Sequence, residues 1–133
     1  MIRYMLDTNI ISDLLRNPAG NAAQRIADVG PDAICVSIIT AAKLRYGCAR
    51  KGSAKLFANV VAILESVQVL AFDVPSDAEY GDLRAELEAA GAPIGPNDML
   101  IAAHARAVGA ILVTDNTSEF SRVRGLQVEN WLR

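Results

Sequence analysis

The chain has 133 residues, of which 52% are hydrophobic, and this size suits one globular domain with a substantial core. No apolar run approaches the roughly eighteen residues of a membrane-spanning helix, and the N-terminal MIRYMLD lacks the layout of a signal peptide, so we expect a cytoplasmic protein without a membrane partner. A net charge of −2, from 15 acidic and 13 basic residues, argues against a protein that holds nucleic acid by bulk charge alone.

Short apolar runs alternate with helical segments along the chain. The runs that predict strands lie at residues 3–6, 33–36, 67–72, 111–114 and, more weakly, 126–129. Each run is nearly unbroken, which is typical of strands buried on both faces of a parallel sheet. Helical spacing is found at residues 9–16, 20–29, 38–50, 53–66, 77–90 and 97–108. The alternation predicts an α/β fold, with a mainly parallel sheet of about five short strands and helices on both faces.

Two of the predicted helices begin with side-chain signals. Ser37 is placed to cap the helix that runs to about Arg50. Ser76 followed by Glu79 has the pattern of a capping box, and Gly91 is expected to end that helix. No repeat or linker interrupts the chain, so we expect a single domain over residues 1–133.

Aspartates follow two of the predicted strands. Asp7 comes after YML near the start of the chain, and Asp115 comes after ILVT near its end. Because parallel strands bring their carboxyl ends to one edge of a sheet, we expect both side chains at one crevice. Asp98, in the first turn of the last long helix, joins them if a crossover places that helix beside the strand ends. Taken singly, the first two are ordinary turn formers and Asp98 is a favourable charge at a helix start.

Several other residues with reactive side chains allow more than one interpretation. Glu119 is either a fourth member of the acidic group or a surface residue. His104 lies more than one helical turn beyond Asp98, and we expect it to be a packing or surface residue. Cys35 and Cys48 show no metal-ligand spacing, so we expect two reduced structural thiols.

The acidic residues together predict a particular chemistry. Several carboxylates in one crevice repel one another unless a cation lies between them. Oxygen ligands without a cluster of His or Cys suit Mg²⁺ or Mn²⁺ rather than Zn²⁺. Mg²⁺ held by one or two carboxylates and a substrate phosphate can activate water and stabilise charge at a phosphodiester. The residues therefore predict metal-assisted hydrolysis of phosphodiesters.

Positive charge is concentrated in one segment of the chain. Within thirteen residues lie Lys43, Arg45, Arg50, Lys51 and Lys55. These side chains form either a solvated helix face or a rim that contacts phosphates.

Four stretches of the sequence resemble the PIN-domain ribonucleases, and among them the VapC toxins of bacterial toxin–antitoxin pairs. They are MLDTNIIS, SIITAAKLRYG, the run YGDLRAELEAAGAPIGPNDMLIAAHA, and LVTDNTSEFSRVRGLQVENW. Together they cover most of the chain in the family's order. The resemblance implies one PIN domain, Mg²⁺ or Mn²⁺ in an acidic pocket, RNA as substrate, a homodimer, and neutralisation by a small VapB-type antitoxin.

The resemblance also implies roles for individual residues. Asp7 matches the metal ligand after the first strand, Asp98 matches the acidic ligand that opens the late helix, and Asp115 matches the acidic residue after the fourth strand. Polar residues that match the support of these ligands are Thr8, Asn9, Asn116 and Glu119.

The chain departs from the family at one position of the site. The family's phrase S-x-I-T-x-x-E-L-x-Y-G has a glutamate that faces the pocket, and SIITAAKLRYG has Lys43 there. The residues on both sides match, so the alignment is secure. We therefore expect a charge reversal inside the metal site, with weak metal binding and little ribonuclease activity.

Two other functions compete with that of an active nuclease. The first is an inactive module of the same fold that still binds its antitoxin and dimerises, which metal binding and RNA cleavage would distinguish. The second is phosphotransfer to an aspartate, as in receiver or haloacid-dehalogenase-like domains. A dehalogenase-like site needs a second Asp where this chain has Asn9, and a receiver needs its lysine after a late strand, whereas Lys43 precedes the middle of the chain.

Overall fold

Five short parallel strands form the centre of the structure, a computed structural model that describes residues 2–133. The strands are β1 (Tyr4–Leu6), β2 (Ile34–Ser37), β3 (Gln68–Leu70), β4 (Ile111–Val113) and β5 (Val128–Glu129). Their order across the sheet is β3-β2-β1-β4-β5, and every neighbouring pair is parallel. The strand nearest the N-terminus therefore lies at the middle of the sheet. This arrangement confirms the α/β fold expected from the sequence.

Helices connect the strands and cover the sheet. The α-helices within residues 2–133 are α1 (Thr8–Arg16), α2 (Asn21–Val29), α3 (Ile38–Lys51), α4 (Ala54–Ser66), α5 (Ser76–Ala89), α6 (Pro96–Val108) and α7 (Thr117–Phe120). A 3-10 turn at Pro31–Ala33 precedes β2. None of the helices in the described part of the chain is long and apolar enough to cross a membrane.

Two apolar clusters lie on opposite faces of the sheet. Met5 and Leu112 pack against α5 and α6 on one face. Leu6 and Val113 pack with Trp131 and with residues of α1, α3 and α4 on the other face. Successive residues of a strand point to opposite faces, so a strand covered on both sides needs apolar residues at every position. This explains why β1 and β4 are continuous apolar runs.

The two helix starts predicted from capping signals differ in outcome. Ser37 caps α3 as expected, and its hydroxyl accepts a hydrogen bond of 3.1 Å from the Ile39 amide. The capping box at Ser76 is wrong: α5 already includes this residue, and no side chain caps its first turn. The Glu79 carboxylate instead forms an ion pair of 2.7 Å with Arg106 of α6. A tertiary partner on the neighbouring helix has replaced the local bond.

The cysteines and the single histidine are structural in this fold. Cys35 and Cys48 are buried and unpaired, and burial raises the pKa of Cys35 to about 11. His104 is buried, its Nδ1 atom lies 2.7 Å from the Ser37 hydroxyl, and its ring packs edge-on against Phe72. Burial also lowers the pKa of His104, which keeps the ring neutral. These positions agree with the interpretations made from the sequence.

Candidate active site

Asp7 lies where β1 ends and α1 begins. Its amide donates a hydrogen bond of 2.9 Å to the Val113 carbonyl of β4, which continues the ladder between the two strands. Its carboxylate caps α1 by accepting a bond of 2.8 Å from the Thr8 amide. The residue is only 3% exposed. A strand bond and a helix cap thus fix one carboxylate at the carboxyl edge of the sheet.

Thr114 holds the other carboxylate oxygen of Asp7. Its buried hydroxyl donates a bond of 2.8 Å to Asp7 Oδ2 and accepts one of 3.0 Å from the Asn116 amide. The Asn9 amide group lies 3.2 Å from the same hydroxyl and 3.4 Å from Asp7 Oδ2. Thr114 was not among the residues singled out from the sequence. The only available signal was a hydroxyl residue between an apolar strand and an Asp-Asn pair.

Glu119 joins α7 to the start of α6. One of its oxygens accepts a bond of 2.7 Å from the Gly95 amide, and the other accepts one of 2.7 Å from the Asn116 side chain. These two bonds lower the pKa of Glu119. A Cβ atom added at Gly95 would lie 3.4 Å from Asp98 Oδ2 and 3.7 Å from Glu119 Oε1. The two carboxyl groups therefore flank the same glycine, and Glu119 lies with the acidic residues rather than on an unrelated surface.

The grouping of acidic residues affects the pKa of Asp98. It lies in the first turn of α6 and is half-buried. Burial, together with the negative charges of Asp7 and Glu119, raises its pKa to about 6. The pocket therefore has more negative charge than its surroundings neutralise.

Lys43 faces this pocket from α3 and is half-buried. Its positive charge opposes the increase in the pKa of Asp98 by Coulomb attraction. It nevertheless forms no ion pair with a carboxylate in the described part of the chain. The ammonium group thus acts on the acidic residues through space without direct contact.

Asp115 is placed differently from the other aspartates. Its side chain is 43% exposed, accepts a bond of 3.0 Å from Asn130, and lies 3.7 Å from the Arg133 guanidinium. Only its backbone amide joins the site, where it donates a hydrogen bond of 3.0 Å to the side-chain oxygen of Asn9. Because Thr114 takes the inward position after β4, the next residue points outward.

The structure thus brings Asp7, Asp98 and Glu119 towards one crevice but leaves the carboxylate of Asp115 at its rim. Across residues 2–133, no three side chains of the types His, Cys, Asp and Glu are arranged to hold a metal ion together. The juxtaposition of Asp115 with Asp7 and Asp98 predicted from the sequence is therefore only partly realised, through its backbone.

Comparison with known proteins decides the family. The PIN domain family matches residues 4–126 of the chain. The chain belongs to the PIN-domain family. Its similarity to VapC members extends over its whole length. It is 36% identical over 132 residues to the tRNA(fMet)-specific endonuclease VapC of Shigella flexneri, covering 98% of this chain and 99% of that protein. It is 39% identical over 134 residues to the ribonuclease VapC of Haemophilus influenzae, covering 99% and 100%.

The fold agrees with that of a solved PIN-domain complex. The DNA-bound VapBC from Salmonella typhimurium superposes with a TM-score of 0.90 and 34% identity, covering 98% of this chain and 99% of that one. The resemblance noted in the four sequence stretches is thereby confirmed, and the chain is a VapC-type PIN domain.

The donor set of this PIN domain suits a hard divalent cation. Asp7 and Asp98 come from β1 and α6 to the same crevice, and their surroundings offer oxygen atoms rather than sulfur or imidazole. Mg²⁺ is commonly held by one or two carboxylates and keeps several waters, so two carboxylates are sufficient for it. Burial is the main cause of the raised pKa of Asp98, and repulsion by Asp7 adds to it; a cation between the two carboxylates would relieve this repulsion.

Proposed function

We propose that this chain is the ribonuclease toxin of a VapBC-type toxin–antitoxin pair and that it cleaves RNA phosphodiesters with Mg²⁺ or Mn²⁺. The observation that supports this most is the half-buried position of Asp98 near Asp7, where burial and the negative charge of Asp7 both raise the pKa of Asp98. RNA as the substrate is supported by the relatives named ribonuclease and tRNA-specific endonuclease.

Asp7 and Asp98 are the residues that would hold the metal ion. When bound, the ion supplies positive charge at the phosphodiester and an activated water. The protein's own contribution is to fix the two carboxylates. The Thr8 amide and the Thr114 hydroxyl orient the oxygens of Asp7, while Glu119 holds the start of α6 and so positions Asp98.

The remaining polar residues act around this pair. Asn9 and Asn116 connect the loop after β4 to the pocket, through the Asp115 amide and the Glu119 carboxylate respectively. Asp115 itself contributes from the rim, where its exposed carboxylate can reach the metal or the substrate only through water.

Lys43 weakens this activity in the present chain. Its ammonium group provides part of the positive charge that the pocket needs, because it attracts Asp98. A protonated amine has no coordination site for water, so it cannot replace the metal in catalysis. Lys43 therefore competes with the metal without supplying its chemistry.

The test compares the chain with its Lys43→Glu variant. We expect the variant to bind Mg²⁺ more tightly by calorimetry and to cleave RNA faster. Arg45→Glu is the matched control, since it makes the same charge change at an exposed position of α3. If the unmodified chain already cleaves RNA at the rate of Lys43→Glu, Lys43 has no part in the working site.

A second function is favoured by the same lysine. The chain would then be an inactive PIN-domain module that binds its antitoxin and dimerises but cleaves nothing. The two functions differ in one measurement: an inactive module stays inactive after Lys43→Glu, whereas a weakened nuclease regains cleavage.

The assembly and the location of the toxin are part of the proposal. We expect a homodimer, and we expect a tight complex with a small VapB-type antitoxin. The complex is supported by relatives that were solved as VapBC complexes. A monomer in light scattering at micromolar concentration would argue against the dimer. A cytoplasmic location suits a toxin that acts on cellular RNA and agrees with the unpaired thiols of Cys35 and Cys48.

A further inference from the structure

One continuous segment of the protein carries only positive charge. From residue 33 to residue 64 the chain has no Asp or Glu, although it has 15 acidic residues in total. The basic residues of this segment are Lys43, Arg45, Arg50, Lys51 and Lys55. None of them forms an ion pair with a carboxylate of residues 2–133. The surface formed by α3 and the start of α4 is therefore cationic, although the net charge of the protein is −2.

Two of these lysines line a groove between α1, α3 and α4 with a volume of about 400 Å³. Lys43, Gly47 and Lys51 recur at every fourth position of α3, so they share one face and span about 12 Å along the helix axis. Arg16 adds a third cation from the end of α1, and no acidic residue lines the groove. The floor is apolar and includes Leu15, Leu44, Leu56 and Val60.

Gly47 is a second, independent feature of the same groove. It lies in the interior of α3, where glycine destabilises a helix relative to alanine. A Cβ atom added there would have no heavy atom within 4 Å, so packing inside this chain does not require glycine. A glycine between two lysines on a helix face is explained when a ligand from outside approaches the helix backbone closely.

The groove leads into the acidic pocket. Thr8, which follows Asp7, lines the groove together with Lys43. Lys43 is also close enough to Asp98 to affect its pKa. A ligand that occupies the groove therefore extends directly towards the two carboxylates.

We propose that this groove binds the RNA strand next to the bond that is cleaved, with Lys51 and Arg16 contacting its phosphates and Gly47 allowing its backbone to approach α3. The inference rests on the proposed function and adds the path of the substrate. Three cations in a groove that no acidic residue lines favour a polyanionic ligand, and the apolar floor can contact riboses and bases. Lys43 lies at the junction, where the strand would enter the pocket.

Binding can be separated from cleavage by working without divalent metal. A fluorescent single-stranded oligoribonucleotide is titrated with the full chain in EDTA, and anisotropy is followed at several salt concentrations. Lys51→Ala should weaken binding on the order of tenfold and reduce the salt slope by about 0.7 for the lost phosphate contact. Arg16→Ala should act in the same way.

Arg50→Ala is the matched control. Arg50 precedes Lys51 in the same helix turn, is exposed and has no carboxylate partner among residues 2–133, but it does not line the groove. The substitution Arg50→Ala removes the same charge from the same segment and should leave the RNA affinity within about twofold of that of the unmodified chain. An equal loss of RNA affinity in Arg50→Ala and Lys51→Ala would show that only overall charge matters, and it would overturn the inference that the groove binds RNA.

Gly47→Ala tests the close approach of the strand. The variant should raise the thermal unfolding temperature, because alanine favours the helix, and should weaken RNA binding, because the added methyl group projects into the groove. A purely structural role for Gly47 cannot produce these opposite changes. Unchanged RNA binding in Gly47→Ala, Lys51→Ala and Arg16→Ala would overturn the inference, while cleavage by the Lys43→Glu variant would leave the proposed function standing.

Two further outcomes also count against the inference. If neither the chain nor Lys43→Glu binds or cleaves RNA, the proposed function fails and the substrate path fails with it. If Gly47→Ala and Lys51→Ala keep their RNA affinity but lose association with an antitoxin, the groove is a protein-binding surface instead.

Discussion

Asp7 and Asp115 both follow a strand at the carboxyl edge of the sheet, yet the structure treats them in opposite ways. Asp7 is 3% exposed and its carboxylate is held by the Thr8 amide and the Thr114 hydroxyl. The Asp115 side chain is 43% exposed and contacts two residues near the C-terminus. The difference arises from one intervening residue, because Thr114 takes the inward position that Asp115 would need. Arrival at the same edge thus does not give two residues the same role.

The strongest test of this comparison is Asp7→Asn in a chain that already carries Lys43→Glu. We expect RNA cleavage to be abolished, because the pocket loses one of its two proposed metal-binding carboxylates. Asparagine can keep the N-cap bond to the Thr8 amide, but its Nδ2 atom cannot accept the bond from the Thr114 hydroxyl, so the free energy of unfolding should fall by about 1–3 kcal/mol with the fold retained. A radiolabelled RNA cleavage assay and chemical denaturation measure the two effects. Full activity in this variant would remove Asp7 from the site.

Thr114→Val should have the next largest effect. Valine keeps the volume but removes the hydroxyl that bonds to Asp7 and Asn116. Leaving these buried partners unsatisfied should cost about 1–3 kcal/mol of unfolding free energy, and loss of the fixed carboxylate orientation should slow cleavage. Thr114→Ser retains the hydroxyl and is the control for each measurement. Equal behaviour of the two variants would show that the bond to Asp7 is unimportant.

Asp115→Asn should be milder than either change in the same Lys43→Glu background. The side chain is exposed at the rim and has no bond to Asp7 or Asp98, so cleavage should fall only a few-fold, on the scale of a water-mediated contact. Steady-state cleavage rates over a range of Mg²⁺ concentrations would measure it. Complete loss of cleavage here, matching that of Asp7→Asn, would mean that Asp115 turns inward when the site is loaded.

The smallest change is expected from Arg133→Ala. The guanidinium is 79% exposed and lies 3.7 Å from Asp115, and such surface pairs contribute only about 0–1 kcal/mol. Thermal unfolding should therefore be almost unchanged, and cleavage by the Lys43→Glu chain should be unaffected. A marked gain in cleavage would show that Arg133 holds Asp115 away from the pocket, which would sharpen the contrast with Asp7.

The sequence predicts the fold well because its dominant signal is local. Continuous apolar runs such as those ending at Leu6 and Val113 identify strands buried on both faces, and these strands form the observed parallel sheet. Ser37 capped its helix as expected because a cap depends on residues two positions apart. In these cases the sequence pattern and the structure that it predicts involve residues that are close together in the chain.

The parts that the sequence did not predict depend on distant partners. Glu79 left its local capping pattern for Arg106, 27 residues away. The inward turn of Thr114 depends on Asp7, 107 residues away. Apolar periodicity shows where a strand ends, but it does not show which residue after the strand turns inward. Asp115 was therefore assigned to the acidic group on its position after the strand and on the family resemblance.

The central position of β1 in the sheet has a consequence for the order in which parts of the protein fold. Asp7 reaches its final position only when β1 pairs with β4, and its amide bonds to Val113 across a separation of more than 100 residues. Contacts between segments so distant in the chain form late in folding, because a long loop must first be closed. A nascent chain lacks β4 until translation has passed Val113. The acidic pocket therefore cannot be completed before that point of synthesis.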